Sequence, residues 1–210
     1  MNDQNQLLKF LHFLSKLKSI LRFKGMPYWE NTSVERWDSV AEHTYRMAIL
    51  AIMLQDKVDT SFNLEKTLKI ILIHDWVEMF TGDEFPFTKK GDTYIYENEP
   101  KETRYNNDLK AFNKLVEFLP NEYIVEFRSL FTDFINAQAS KQPTSQEAVF
   151  AVALDRIEST LTCTEYKKAE GKWDPTHKKL QTEYLTSKVL SHNQKLKDFV
   201  EELKKEIEVS

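Results

Sequence analysis

The sequence predicts an all-α protein, a single-domain helical bundle of six or seven helices. Three observations carry this. Leu, Ile, Glu and Lys recur in runs with apolar residues at three- and four-residue steps. Only 4 Gly and 6 Pro punctuate 210 residues, leaving little room for long irregular stretches. No convincing run of alternating β-branched residues competes with the helical pattern.

The elements follow in order. Leu7, Phe10, Leu11, Leu14, Leu17 and Leu21 line one face of a first helix over 5–23, which Gly25 and Pro27 stop. A loop from Tyr28 to Asp38 carries Trp29, Arg36 and Trp37. Ser39 and Glu42 then form a capping box that opens a helix running to about Lys57. A third helix spans Leu64 to Phe80 and ends at Gly82, and a polar loop with Pro86 and Gly91 follows. Residues 97–118 and 121–139 read as amphipathic helices. Thr144 and Glu147 form a second capping box, opening a helix to Glu170 that Gly171 closes. Asp174 and Pro175 start one long last helix. One domain is expected over 1–210, with its core at about 10–170 and the last helix at about 175–206.

Composition narrows the function classes. Hydrophobic and charged fractions of 41% and 30% suit a folded soluble protein. A formal net charge of -4 argues against a nucleic-acid partner, which usually needs a basic face, but leaves room for a small phosphorylated substrate. Cys163 is the single cysteine, so no internal disulfide forms and a reducing, cytoplasmic compartment is expected. Nothing resembles a signal peptide or a membrane span.

His74 and Asp75 are the central pair. They follow Ile70, Ile71, Leu72 and Ile73, an apolar run that must be largely buried. Glu78 lies one helical turn on, toward the same side. Imidazole nitrogen with carboxylate oxygen suits Mn, Fe, Co, Ni or Zn, although a buried histidine bonded to a carboxylate gives the same dipeptide. Asp155 follows Ala148–Leu154, a stretch apolar on every side, where a carboxylate is costly unless paired or bound to a cation. Adjacent helical residues do not face each other, so Arg156 is a poor partner for it. Of five histidines, only His43 and His74 sit beside acidic residues in apolar helices; His12, His177 and His192 read as surface or packing residues.

This pattern resembles the HD phosphohydrolase superfamily. Ser39 to His43, followed by His74, Asp75, Glu78 and then Thr81, Gly82 and Asp83, is similar to the bacterial 5′-deoxynucleotidase branch and its HD-domain relatives. Leu17 to Phe23 resembles that branch's phosphate-binding segment, and Arg36 also has a counterpart. The resemblance implies one divalent metal on His43, His74, Asp75 and Asp155. It implies that Glu78 handles a proton or positions the attacking water. Asp83 would orient the sugar or water, with Asp75 and Asp155 also facing the substrate. Arg22 and Arg36 would serve the phosphate. Phe23 stands where the family has a sugar-selecting tryptophan, and Glu84–Thr88 departs from the family's Pro-Thr-Pro, so deoxyribose selectivity stays open. The implied activity is metal-dependent hydrolysis of nucleoside 5′-monophosphates by a homodimer. Another phosphoester or a pyrophosphate is the alternative substrate, and a metal-stabilised helical binding protein is the alternative class.

Overall fold

Nine α-helices occur among the described residues of the computed structural model, which are 3–24, 29, 34–57, 62–83, 87–90, 93–96, 102–170, 175–185 and 194–209. They are α1 (Asp3–Leu14), α2 (Val40–Leu54), α3 (Leu64–Ile73), α4 (Glu78–Thr81), α5 (Glu102–Val116), α6 (Asn121–Gln138), α7 (Gln146–Glu170), α8 (Pro175–Leu185) and α9 (Gln194–Val209). Two strands, β1 (Phe87–Lys90) and β2 (Thr93–Tyr96), lie between α4 and α5.

The expected all-α class holds, but several boundaries move. The helix expected over 64–80 breaks after Ile73. The N–H groups of Trp76, Glu78 and Met79 bond three residues back, to the carbonyls of Ile73, Asp75 and Trp76, in place of the four-residue step of an α-helix. The first helix stops at Leu14 and continues as a 3₁₀ turn over Ser15–Lys18. Beyond it the chain runs extended beside the start of α2: Arg22 N–H donates to Asp38 O and Val40 N–H to Ile20 O, around a Leu21–Ser39 bridge. Arg22 and Phe23 are therefore not helical. The last helix is described as two, α8 and α9; residues 186–193, and the expected cap Asp174, lie outside the described residues.

The hairpin was expected as loop. β1 and β2 pair antiparallel, Phe87 with Tyr96 and Lys90 with Thr93. The signal was short but present: Thr93–Tyr96 is β-branched and aromatic, and Gly91-Asp92 is a two-residue hairpin sequence.

Caps follow the sequence closely at α2 and less so at α7. Ser39 Oγ accepts from Glu42 N–H at 3.3 Å while Glu42 Oε2 accepts from Ser39 N–H at 2.8 Å, the expected capping box. At α7 the cap is Ser145, one residue beyond Thr144. Its Oγ accepts from Ala148 N–H and donates to Asp133. Glu147 is drawn away instead, accepting from Asn63 N–H and pairing with Lys66.

α7 is the axis of the core. It packs against α2, α3, α6, α8 and α9. Ala148, Ala151, Val152, Ala153, Leu154 and Ile157 are buried along it, as the all-round apolar stretch requires. Ile70, Ile71 and Ile73 bury α3 against this axis, each worth about 1.5–3 kcal/mol of transfer free energy. Phe112 and Phe131 stack at 4.4 Å to join α5 to α6. Leu185, Leu196, Val200, Leu203 and Ile207 extend the same apolar cluster into α8 and α9. Trp76 is a core residue, edge-on to Phe10 and Phe127. A second cluster gathers Phe23, Trp29, Cys163 and Tyr166. Burial pushes the Cys163 thiol well above its ordinary pKa, which suits a packing residue.

Candidate active site

The break after Ile73 decides the geometry of the site. Where α3 ends, His74 Nδ1 lies 2.7 Å from the carbonyl oxygen of Ile71 and donates to it. The second ring nitrogen, Nε2, then points away as an acceptor. His43, in the first turn of α2, is arranged alike: its Nδ1 bonds the Glu158 carboxylate of α7. The two imidazoles lie 5.4 Å apart between centroids.

Asp75 sits between them. Its Oδ2 is 3.0 Å from His74 Nε2 and 3.6 Å from His43 Nε2. One donor atom from each of His43, His74 and Asp75 lies within 4.8 Å of the others. Asp155 approaches from α7, with Oδ1 3.3 Å from His43 Nε2, but stands outside that tight group of three. His43 Nε2 and His74 Nε2 are both buried and make no hydrogen bond among the described residues. Two orphaned imidazole acceptors facing a carboxylate fit a borderline divalent cation.

The electrostatics agree. Burial and the Arg22 charge oppose protonation of His43, yet Glu158 and Asp155 outweigh them and push its pKa up to about 9. Burial opposes ionisation of Asp75 and Asp155, but the two histidines more than offset it and hold both below the usual carboxylate range. The cluster thus attracts positive charge: without an ion His43 Nε2 takes up a proton, which a bound metal would displace to use the lone pair. Glu78 behaves oppositely. Burial, then the Asp75 and Asp83 charges, raise its pKa well above the carboxylate range against Arg22 and Arg104. Its Oε2 is buried without a hydrogen-bond partner among the described residues. Burial likewise raises Asp83, opposed by Arg22 and the Phe23 N–H.

His74, Asp75 and Glu78 open onto a small cavity of about 20 Å³, room for about one water molecule, between the α3–α4 turn, α5 and α6. Gly82 closes α4 at φ 76°, in the left-handed region that a glycine enters without strain, and so turns the chain toward Asp83. Arg104, Asp108 and Gln138 line the far wall.

Of the residues expected from sequence, His43, His74, Asp75, Asp155 and Glu78 come together. Arg22 and Asp83 form the adjoining layer. Arg22 NH1 donates to Glu158 at 3.2 Å and NH2 to Ser159 Oγ at 2.8 Å, while Nε lies 3.9 Å from Asp83 Oδ1. Phe23 takes part through its backbone, since its N–H donates to Asp83 at 2.9 Å with φ at 62°. Its ring packs into the second cluster against Trp29 and Tyr166. Arg36 is not brought in; it pairs with Glu42 at the exposed start of α2. Glu84, Phe85 and Pro86 lie outside the described residues.

Sequence reasoning missed Glu158 and Arg104. Glu158 had a signal, lying three residues after Asp155 on a buried helix. Arg104 had none, because only the packing of α5 against the α4 turn places it.

A family model for the HD domain matches residues 14–197. The chain belongs to the HD domain family. The His43, His74, Asp75 and Asp155 pattern therefore sits in the fold that the sequence led us to expect. HD domains bind divalent metals, and His43, His74 and Asp75 form a possible site for one. Over 166 residues this HD domain is 29% identical to a 5′-deoxynucleotidase of Mus musculus, covering 79% of this chain and 72% of the relative. It is 28% identical over 163 residues to a 5′-deoxynucleotidase of Schizosaccharomyces pombe, covering 77% and 73%. Among solved structures, a chain from Magnetospirillum magnetotacticum described as a "predicted metal-dependent phosphohydrolase" superposes with a TM-score of 0.69 at 22% identity, covering 100% of this chain and 97% of that one. An HD-domain phosphohydrolase of Listeria innocua gives 0.69 at 17% identity, covering 97% and 90%. Both establish likeness of fold.

Proposed function

We propose that this HD domain is a metal-dependent phosphomonoesterase that splits nucleoside 5′-monophosphates, deoxyribonucleotides among them, into nucleoside and inorganic phosphate. The observation that carries the reading is the pair of orphaned Nε2 atoms of His43 and His74 turned toward Asp75, beside a buried carboxyl, Glu78, whose Oε2 has no hydrogen-bond partner among the described residues. The 5′-deoxynucleotidases among its relatives support the substrate class.

His43, His74, Asp75 and Asp155 hold the ion in this reading. Mn, Co, Fe, Ni and Zn all suit the mixed donor set, and the chemistry that such an ion would supply is stabilisation of charge on phosphoryl oxygen and activation of water. Glu78, whose pKa burial raises, delivers a proton to the departing 5′-oxygen. Arg22 binds phosphate with N–H groups left over once Glu158 and Ser159 are satisfied, since Nε has no hydrogen-bond partner among the described residues. Asp83, held by the Phe23 N–H, orients the sugar or water. Phe23 thus acts through its backbone, and Arg36 has no part.

The test is phosphate release by purified protein with Mn²⁺ or Co²⁺ against a panel of mono-, di- and triphosphates. Release from monophosphates is expected. Turnover of pyrophosphates or cyclic nucleotides alone would move the reading to that substrate class. No turnover at all, with metal bound, would favour a binding protein.

A homodimer belongs to the same reading. Tyr45, Ile49, Ile52 and Met53 are exposed along one face of α2, at the spacing of a continuous apolar stripe opposite the buried face. A second copy covers such a stripe by two-fold symmetry. Sedimentation of the native protein should show a dimer and of Met53→Glu a monomer; a native monomer at micromolar concentration ends the idea. No helix among the described residues is long and apolar enough to cross a membrane. The reading places the protein in the cytoplasm, where a lone buried thiol stays reduced.

A further inference from the structure

Glu158 holds an unusual set of partners. It is only 1% exposed. Its Oε2 accepts from His43 Nδ1 and also from Arg22 NH1 at 3.2 Å. Its Oε1 accepts from Thr162 Oγ1 at 2.9 Å and faces Arg46 Nε at 3.4 Å. A buried carboxylate costs several kcal/mol unless paired, and here it is paired on every side. Stability does not call for such a group, because well-packed apolar side chains of similar volume commonly do as well. Something other than stability must favour it.

The sharing of Oε2 suggests what. One oxygen touches the histidine that faces Asp75 and Asp155 and the arginine that faces Asp83. The two histidines also differ in support. His74 Nδ1 is oriented by a main-chain carbonyl at the end of α3. His43 lies inside α2, where main-chain carbonyls serve the helix, so its Nδ1 needs a side chain from another element. α7 provides it three residues beyond Asp155, on the same face.

We infer that Glu158 is a positioning residue that sets the His43 ring and tautomer and the Arg22 guanidinium from one carboxylate oxygen, so that metal affinity and phosphate affinity both depend on it. This rests on the proposed reading of the site as metal-dependent. With Nδ1 held as donor, His43 presents the Nε2 lone pair, the ligating form.

The experiment titrates metal-free Glu158→Gln with Mn²⁺ by calorimetry, then titrates the Mn²⁺-loaded protein with inorganic phosphate, after circular dichroism has shown a native helical spectrum. Mn²⁺ affinity is expected to fall by about 10–100-fold, the usual effect of losing a group that orients a ligand. Phosphate affinity is expected to fall by about tenfold, equivalent to about 1.4 kcal/mol. Glu165→Gln, which alters only the exposed partner of Arg46, should match the native protein. Glu158→Asp keeps the charge but withdraws it by one methylene; it carries the test should Glu158→Gln not fold, with both affinities again expected to drop. A folded variant with either affinity within twofold of native overturns the inference. Native protein that takes up no Mn²⁺ overturns the metal reading as well, and so separates the two failures.

Discussion

Asp75→Asn is expected to cut phosphate release from nucleoside monophosphates by about 10³-fold or more, the scale set by losing charge stabilisation in a phosphoryl-transfer site. Asp75 is the carboxylate that reaches both orphaned Nε2 atoms, 3.0 Å from that of His74 and 3.6 Å from that of His43. An amide of the same shape keeps the packing but removes the charge that His43 and His74 otherwise share. The histidines and Asp155 then face one another with less negative charge, and a divalent ion is held more weakly. Metal content by mass spectrometry and initial rates should fall together, while the thermal midpoint of the metal-free protein stays close to native. A variant that keeps stoichiometric metal and native rates would remove Asp75 from the site.

Glu78→Gln is expected to lower kcat by about 10²–10⁴-fold while leaving metal content unchanged, the range for loss of a general acid. Glu78 lines the cavity beside Asp75 but does not belong to the tight donor group. Its pKa is raised, first by burial and then by Asp75 and Asp83. The sign of the pH dependence follows. A group that must donate a proton works below its raised folded pKa, so the native kcat should decline as pH rises through that value. The glutamine cannot titrate, and its residual rate should lack that decline. The same shift also acts on folding: a carboxyl with a raised folded pKa favours the native state fully below the ordinary carboxylate range, and that contribution is lost as pH rises from there through the raised value. Native-like rates from Glu78→Gln would leave the proton to another group.

Much of this was readable along the chain. Period-3.6 patterning gave α2, α6 and α7 to within a few residues, with the start of α3 and the end of α5, because each helix buries one apolar face and shows it in its own sequence. The capping box of Ser39 and Glu42 was legible because both partners lie within one turn. At Ser145 the cap moved by one, since Asp133 and Asn63, distant in sequence, compete for the groups involved. The hairpin escaped notice because four-residue strands barely exceed the noise of a helical sequence.

The divide runs between short-range and long-range chemistry. The residues alone determined the helical class and the buried all-apolar α7, and they marked His74, Asp75 and Asp155 as candidates, since burying a polar group in an apolar run demands a reason that sequence can register; resemblance to the HD superfamily added the metal role of His43 and the proton role of Glu78. They did not determine which nitrogen of each histidine faces inward. That was decided by Ile71 O at the end of α3 and by Glu158 on α7. Nor did they reveal that the α3 helix breaks at His74, that Phe23 offers its N–H while its ring packs elsewhere, or that Arg104 reaches the cavity wall. The last two depend on contacts between segments tens of residues apart, and only the tertiary structure brings those together.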